Sequence, residues 1–96
     1  MAKTSLQKAR ARAFKLQNGC CFYCGQHMDQ SPITKCTAEH LKARCDGGRI
    51  AGNIVAACWF CNSRRHRRKA PLEPKAWQAY VVRKMQQKRW PTLTSG

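Results

Sequence analysis

Carboxylates are scarce in this chain. Asp29, Glu39, Asp46 and Glu73 are the only four, against nineteen lysines and arginines, for a formal charge of +15 over 96 residues. Solubility does not require such a balance, and self-repulsion of that size costs stability in the compact state. A polyanion relieves it, because phosphates neutralise the excess and release counterions. Long apolar runs are missing too: no stretch approaches the roughly 18 residues of a helical span, so no membrane role is expected. Residues 1 to 19 have neither an apolar h-region nor a small-residue cleavage site, which sets the expectation of a cytoplasmic protein. Repeats and low-complexity tracts are also missing, and the length is that of one domain, 1–96. So short a chain buries little apolar surface and calls for a staple.

Disulfides are a poor candidate for that staple. Seven cysteines cannot all pair, and nothing points to an oxidising compartment. Four of them form two C-x-x-C pairs, Cys21-Phe22-Tyr23-Cys24 and Cys58-Trp59-Phe60-Cys61. Each pair sets two thiolates on one side of a tight turn at the separation that a tetrahedral zinc ion takes, with Zn–S near 2.3 Å. Gly25 follows the first pair, where it relieves the turn. Structural zinc held by Cys21, Cys24, Cys58 and Cys61 is the expectation. Cys20, Cys36 and Cys45 are left as plain thiols, with Cys20 the one substitute ligand.

Local signals place the elements. Residues 4 to 17 read as a basic helix with Thr4 or Ser5 as N-cap and Asn18-Gly19 as its stop. Leu6, Ala9, Ala13 and Leu16, with Phe14, form its apolar stripe. A turn-rich knuckle follows to Ser31-Pro32, then a strand from Ile33 to Leu41. Asp46-Gly47-Gly48 marks a loop. Residues 54 to 57 form a second strand closed by Cys58. A helix runs from Trp59 to about Lys69, stopped by Pro71, and a last one from Pro74 to Trp90. Its Trp77, Tyr80, Val81 and Met85 share a face, as core residues rather than a stacking platform.

Between the cysteine pairs stand Glu39-His40, then Asn53, then Asn62 directly after Cys61. Glu-His alone proves little, and on a strand the two side chains point to opposite faces. The ordered series is informative: C-x-x-C, Glu-His, Gly-Gly, Asn, and C-x-x-C-N-x-x-R. It resembles the HNH nuclease family with its ββα-metal motif, over Cys21 to Arg65.

The resemblance implies an α+β fold: a small zinc-stapled ββα-metal (His-Me finger) domain, core motif 21–69, with flanking basic helices. It also implies roles. His40 matches the general base that activates water, and Asn53 the residue that orients it through a backbone contact. Glu39 matches a ligand of one divalent cation. Asn62 stands where the family usually has a second His ligand, so a carboxylate and an amide oxygen would favour Mg²⁺ or Mn²⁺. His66, four residues on along the same helical face, is a further candidate ligand. Arg64 or Arg65 matches the position that holds substrate phosphate, and with Arg67, Arg68 and Lys69 it forms a basic run for the backbone of double-stranded DNA. His27 is expected at the surface.

The implied activity is metal-dependent DNA hydrolysis with low sequence specificity, leaving 5′-phosphate and 3′-hydroxyl ends. The protein acting would be a bacterial or phage-encoded monomer or weak dimer. The alternative is a non-catalytic zinc-bearing nucleic-acid module, which charge and cysteines fit equally well.

Overall fold

The computed structural model describes residues 4–42 and 53–93. Helix α1 spans Ser5–Leu16, strand β1 Cys36–His40, strand β2 Ile54–Cys58, helix α2 Trp59–His66 and helix α3 Pro74–Gln86. The fold is α+β. Among the described residues, β1 and β2 pair antiparallel from Cys36 opposite Cys58 to His40 opposite Ile54. The predicted Asp46-Gly47-Gly48 loop and Cys45 lie outside the described residues.

The caps of α1 follow the sequence. Thr4 is the N-cap, in a capping box whose hydroxyl accepts from Gln7 N while the Gln7 side chain accepts from Thr4 N. At the other end Asn18 is left-handed (φ 55°); its N–H donates to Lys15 O, and Gly19 N donates to Phe14 O, the two bonds of a Schellman stop. The apolar stripe needs correction. Leu16 is 75% exposed and Leu6 38%, and only Ala13 is fully buried. The reason is Gln17, whose amide bonds both Ala56 N (2.9 Å) and Ala56 O (2.8 Å) on β2. That grip rolls the helix so that Ala13, Phe14 and Gln17, rather than the leucines, meet the sheet.

The first strand begins later than the expected Ile33. Pro32–Thr34 is a 3₁₀ turn, held by the buried Thr34 hydroxyl, which accepts from Gln30 N and Ser31 N. Asp29 Oδ1 then takes the amide of Cys36 at 2.8 Å and starts β1 there. The two later helices also end early. α2 stops at His66 instead of Lys69. α3 stops at Gln86 instead of Trp90, because Lys88 turns left-handed (φ 57°) and Arg89 N reaches back to Lys84 O in a second Schellman stop.

The core is small, as the length dictates. Tyr23, Met28, Cys58, Cys61 and Val81 are fully enclosed in it, and the buried Trp77 docks α3 on it by donating from Nε1 to Cys61 O at 3.1 Å. Trp77 is thus packed in the core as expected, whereas Tyr80, stacked on it, is only half-buried. Gln26 takes Leu93 N and fastens the end of the described chain to the first knuckle. No helix among the described residues is long and apolar enough to cross a membrane.

Candidate active site

The knuckles meet as their spacing predicts. Cys21 and Cys24 flank a turn closed by Gly25 N donating to Cys21 O, with Gly25 itself left-handed (φ 72°). Cys58 ends β2 and Cys61 sits in the first turn of α2. All four residues are buried, and their sulfurs lie within 4.8 Å of one another. Tetrahedral Zn–S bonds of 2.3 Å put sulfurs about 3.8 Å apart, so the cluster is at the right scale. Cys21 Sγ accepts N–H bonds from Tyr23 and Cys58, each 3.3 Å, which favour a thiolate. Hydrogen bonds from the Cys24, Cys58 and Cys61 side chains hold the Cys21 thiol far below its usual range, while the bond to Cys21 pushes Cys61 up. Cys24 is lowered as well, through its bonds to Cys58 and Cys61, so the tetrad divides into two thiols that ionise more readily and two that ionise less readily. Four soft donors in a closed tetrad could hold a metal such as zinc.

Of the spare cysteines, Cys20 and Cys36 stay outside the tetrad. Cys20 bridges to His27, its Sγ 3.8 Å from His27 Nδ1, and His27 is exposed as expected. Cys36 is buried on β1, where burial raises its thiol pKa and keeps it protonated.

Glu39 is the second centre. It sits near the end of β1 at 4% exposure, a costly place for a carboxylate without partners. Its Oε2 has three: the Tyr23 hydroxyl donates at 3.0 Å, Arg65 Nη1 donates at 3.2 Å, and His66 Nε2 lies at 3.5 Å. The helix geometry explains this convergence. Asn62, Arg65 and His66 share one face of α2, and Thr37 and Glu39 share one face of β1. The two faces are pressed together, so Asn62 meets Thr37 (Nδ2 to Oγ1, 3.0 Å) one turn before Arg65 and His66 meet Glu39.

Asn62 is therefore oriented. The Thr37 hydroxyl donates to Ala57 O at 2.6 Å, so toward Asn62 it accepts, and only the amide nitrogen can serve. Asn62 Oδ1 is left buried with no hydrogen-bond partner among the described residues. Asn62 Oδ1 is thus a hard oxygen acceptor without a partner among those residues, on the helix face that also carries Arg65 and His66. His66, the secondary candidate from the sequence, touches Glu39 directly.

His40 closes β1 on the face opposite Glu39, as alternation requires. Its Nε2 is enclosed and has no partner among the described residues. Asn53 clamps the chain just beyond: its Oδ1 accepts from Lys42 N and its Nδ2 donates to Lys42 O, both at 2.8 Å. Leu41 N bonds Asn53 O at 2.8 Å. Asn53 thus fixes the backbone two residues past His40.

The basic run divides. Arg64, Arg67, Arg68 and Lys69 are exposed, whereas Arg65 is drawn inward, its Nε donating to Leu72 O at 2.7 Å beside the Glu39 contact. Of the two phosphate candidates, Arg64 is the one that faces outward.

A model of the HNH endonuclease domain matches residues 21–68, half of the chain. The chain belongs to the HNH endonuclease family. The matched stretch contains both cysteine pairs, Glu39-His40, Asn53 and Asn62 of this HNH protein. No curated protein matches it.

Tyr23 was not legible as a site residue. It lies inside the first C-x-x-C, 1% exposed, and links the thiol tetrad to Glu39. Burial first, then the Glu39 charge, push its phenol far above the ordinary range, so it stays a hydrogen donor. Tyr23→Phe removes one hydrogen bond to a buried charge. The expected loss is about 1.5–3 kcal/mol in denaturant unfolding of the metal-loaded protein, with the metal content unchanged. An unaltered midpoint would show that Arg65 alone suffices for Glu39.

Proposed function

We propose that this HNH protein is an endonuclease that hydrolyses double-stranded DNA, with zinc in the cysteine tetrad as scaffold and one divalent cation, Mg²⁺ or Mn²⁺, at the reaction centre. The observation that carries this reading is a buried carboxylate, Glu39, next in sequence to His40, whose Nε2 has no hydrogen-bond partner among the described residues. An imidazole with an unoccupied nitrogen can take a proton near neutral pH.

Glu39 and Asn62 Oδ1 are the cation's ligands in this reading, with His66 beside them. When bound, the ion supplies positive charge at the leaving 3′-oxygen. His40 withdraws a proton from water as its oxygen bonds to phosphorus. The bond from phosphorus to the 3′-oxygen breaks, the 3′-oxygen collects a proton from solvent, and the ends are 5′-phosphate and 3′-hydroxyl. Asn53 holds the backbone that aims His40. Arg65 gives Glu39 a charge partner, and Arg64, Arg67, Arg68 and Lys69 grip phosphates, the arginines through charge-assisted forks. Contacts of this kind position a duplex and carry little sequence information, consistent with low specificity.

Supercoiled plasmid incubated with the zinc-loaded protein and Mg²⁺ or Mn²⁺ should be nicked, and EDTA should stop the reaction. Tight duplex binding without nicking under any divalent ion would instead mark a non-catalytic binding module.

A further inference from the structure

On the far side of α2 from Glu39 lies a cavity of about 270 Å³ lined by Phe60, Arg64, Tyr80, Lys84, Arg89 and Trp90 together with Pro91. Residues 60 and 64 are each two positions from the nearer of Asn62 and His66, which turns them away from the carboxylate site. We propose that this trough between α2 and α3 binds an unpaired nucleotide of single-stranded DNA, base inside and phosphates at the rim. The proposal rests on the nucleic-acid partner of the preceding reading, and not on its hydrolytic step.

The two helices present matching pairs. Phe60 and Arg64 are four residues apart on α2, with the guanidinium 4.4 Å from the ring centre; Tyr80 and Lys84 are four apart on α3, with the ammonium 5.5 Å away. Trp90, returned by the Schellman stop of α3, sets its ring edge-on to Phe60 at 5.5 Å. A second cavity of about 220 Å³ shares Arg64, Tyr80 and Trp90 and adds Arg67 and Arg68. No acidic residue among the described ones lines either cavity.

A phosphate alone explains the cations but not three aromatic rings around a void nearly as large as small-molecule sites. Rings and cations together are the components of single-strand binding: aromatic faces stack bases while a positive groove follows the backbone. Exposed cation–π contacts are weak, so Arg64 and Lys84 are readily exchanged from ring to phosphate. Trp90 Nε1 is enclosed without an acceptor among the described residues, an uncommon state for a buried donor. In a duplex the base faces are stacked on one another, so only an unpaired base can enter.

The test is fluorescence anisotropy of the zinc-loaded full chain, with no other divalent ion, on three labelled probes. These are a twelve-nucleotide oligo-dT, an abasic strand of equal length and charge, and a duplex. Loss of a stacked base costs about 5- to 150-fold in affinity, so oligo-dT should bind at least fivefold tighter than the abasic strand. Tyr80→Leu should lower oligo-dT affinity to the abasic level and leave duplex affinity within twofold. Lys84→Ala with Arg89→Ala should weaken both single strands, and serves if Tyr80→Leu does not fold. Equal affinity of wild type for oligo-dT and the abasic strand overturns the proposal, as does an unchanged oligo-dT affinity in every variant. A protein that shows the base preference but nicks no plasmid upholds the trough and sinks the nuclease reading alone.

Discussion

His40→Ala should lower plasmid nicking by about 10²–10⁴-fold, the usual contribution of a positioned general base. Its Nε2 has no partner among the described residues, so the substitution breaks none of their hydrogen bonds to that atom, and the fold and metal content should survive. Glu39→Gln is the informative companion. It keeps the shape of the buried side chain and removes the charge that Arg65 and His66 face at 3.2 and 3.5 Å. Nicking should then fall at least as far and should not recover with excess Mg²⁺ or Mn²⁺. Zinc should remain, because the tetrad contains no carboxylate. Nicking by His40→Ala at the wild-type rate would remove His40 from the base role, and loss of secondary structure in either variant would mark a structural role instead.

Removing zinc should have the larger effect on the protein itself. Structural zinc couples about 10–16 kcal/mol to folding, against about 5–15 kcal/mol of total stability for a typical domain. The buried surroundings of the tetrad hold the first knuckle, the end of β2 and the start of α2 at one point, and α3 docks on Cys61 O through Trp77. Cys61→Ser, or a strong chelator, should therefore abolish the cooperative transition and most of the helical circular dichroism. Native mass spectrometry should find one zinc per chain in the wild type. A chelated chain that keeps its helices and melts cooperatively would show that the apolar core suffices. Tyr23 gives the same experiment a second consequence: with the knuckle released, Glu39 loses its hydroxyl donor, so nicking should fail together with the fold.

Much of the architecture is written in short-range signals. The C-x-x-C pairs, the Thr4 cap, the Asn18-Gly19 stop and the Pro74 start each depend on neighbours a few residues away, and each holds. The family pattern in 21–68 is equally legible, since it is an order of residue types. Where the sequence misleads, a distant partner intervenes. Gln17 bonds Ala56, 39 positions away, and turns the leucines of α1 outward. Thr34 and Asp29 together delay β1, and a left-handed Lys88 ends α3 short of Trp90.

The Glu39-His40 pair divides along the same line. Its residue types, its neighbours and its place between the cysteine pairs follow from the sequence alone, as does the expectation of opposite faces. Only the tertiary structure decides that Glu39 is buried under Tyr23, Arg65 and His66 while His40 Nε2 has no partner among the described residues. The physical reason is range. Periodicity and turn chemistry act over a few residues, but the partners of Glu39, Tyr23, Arg65 and His66, come from positions 16, 26 and 27 residues away, two of them through a helix laid across a strand. Which oxygen Asn62 spares, and which arginine faces outward, depend on that packing and leave no trace in the local sequence.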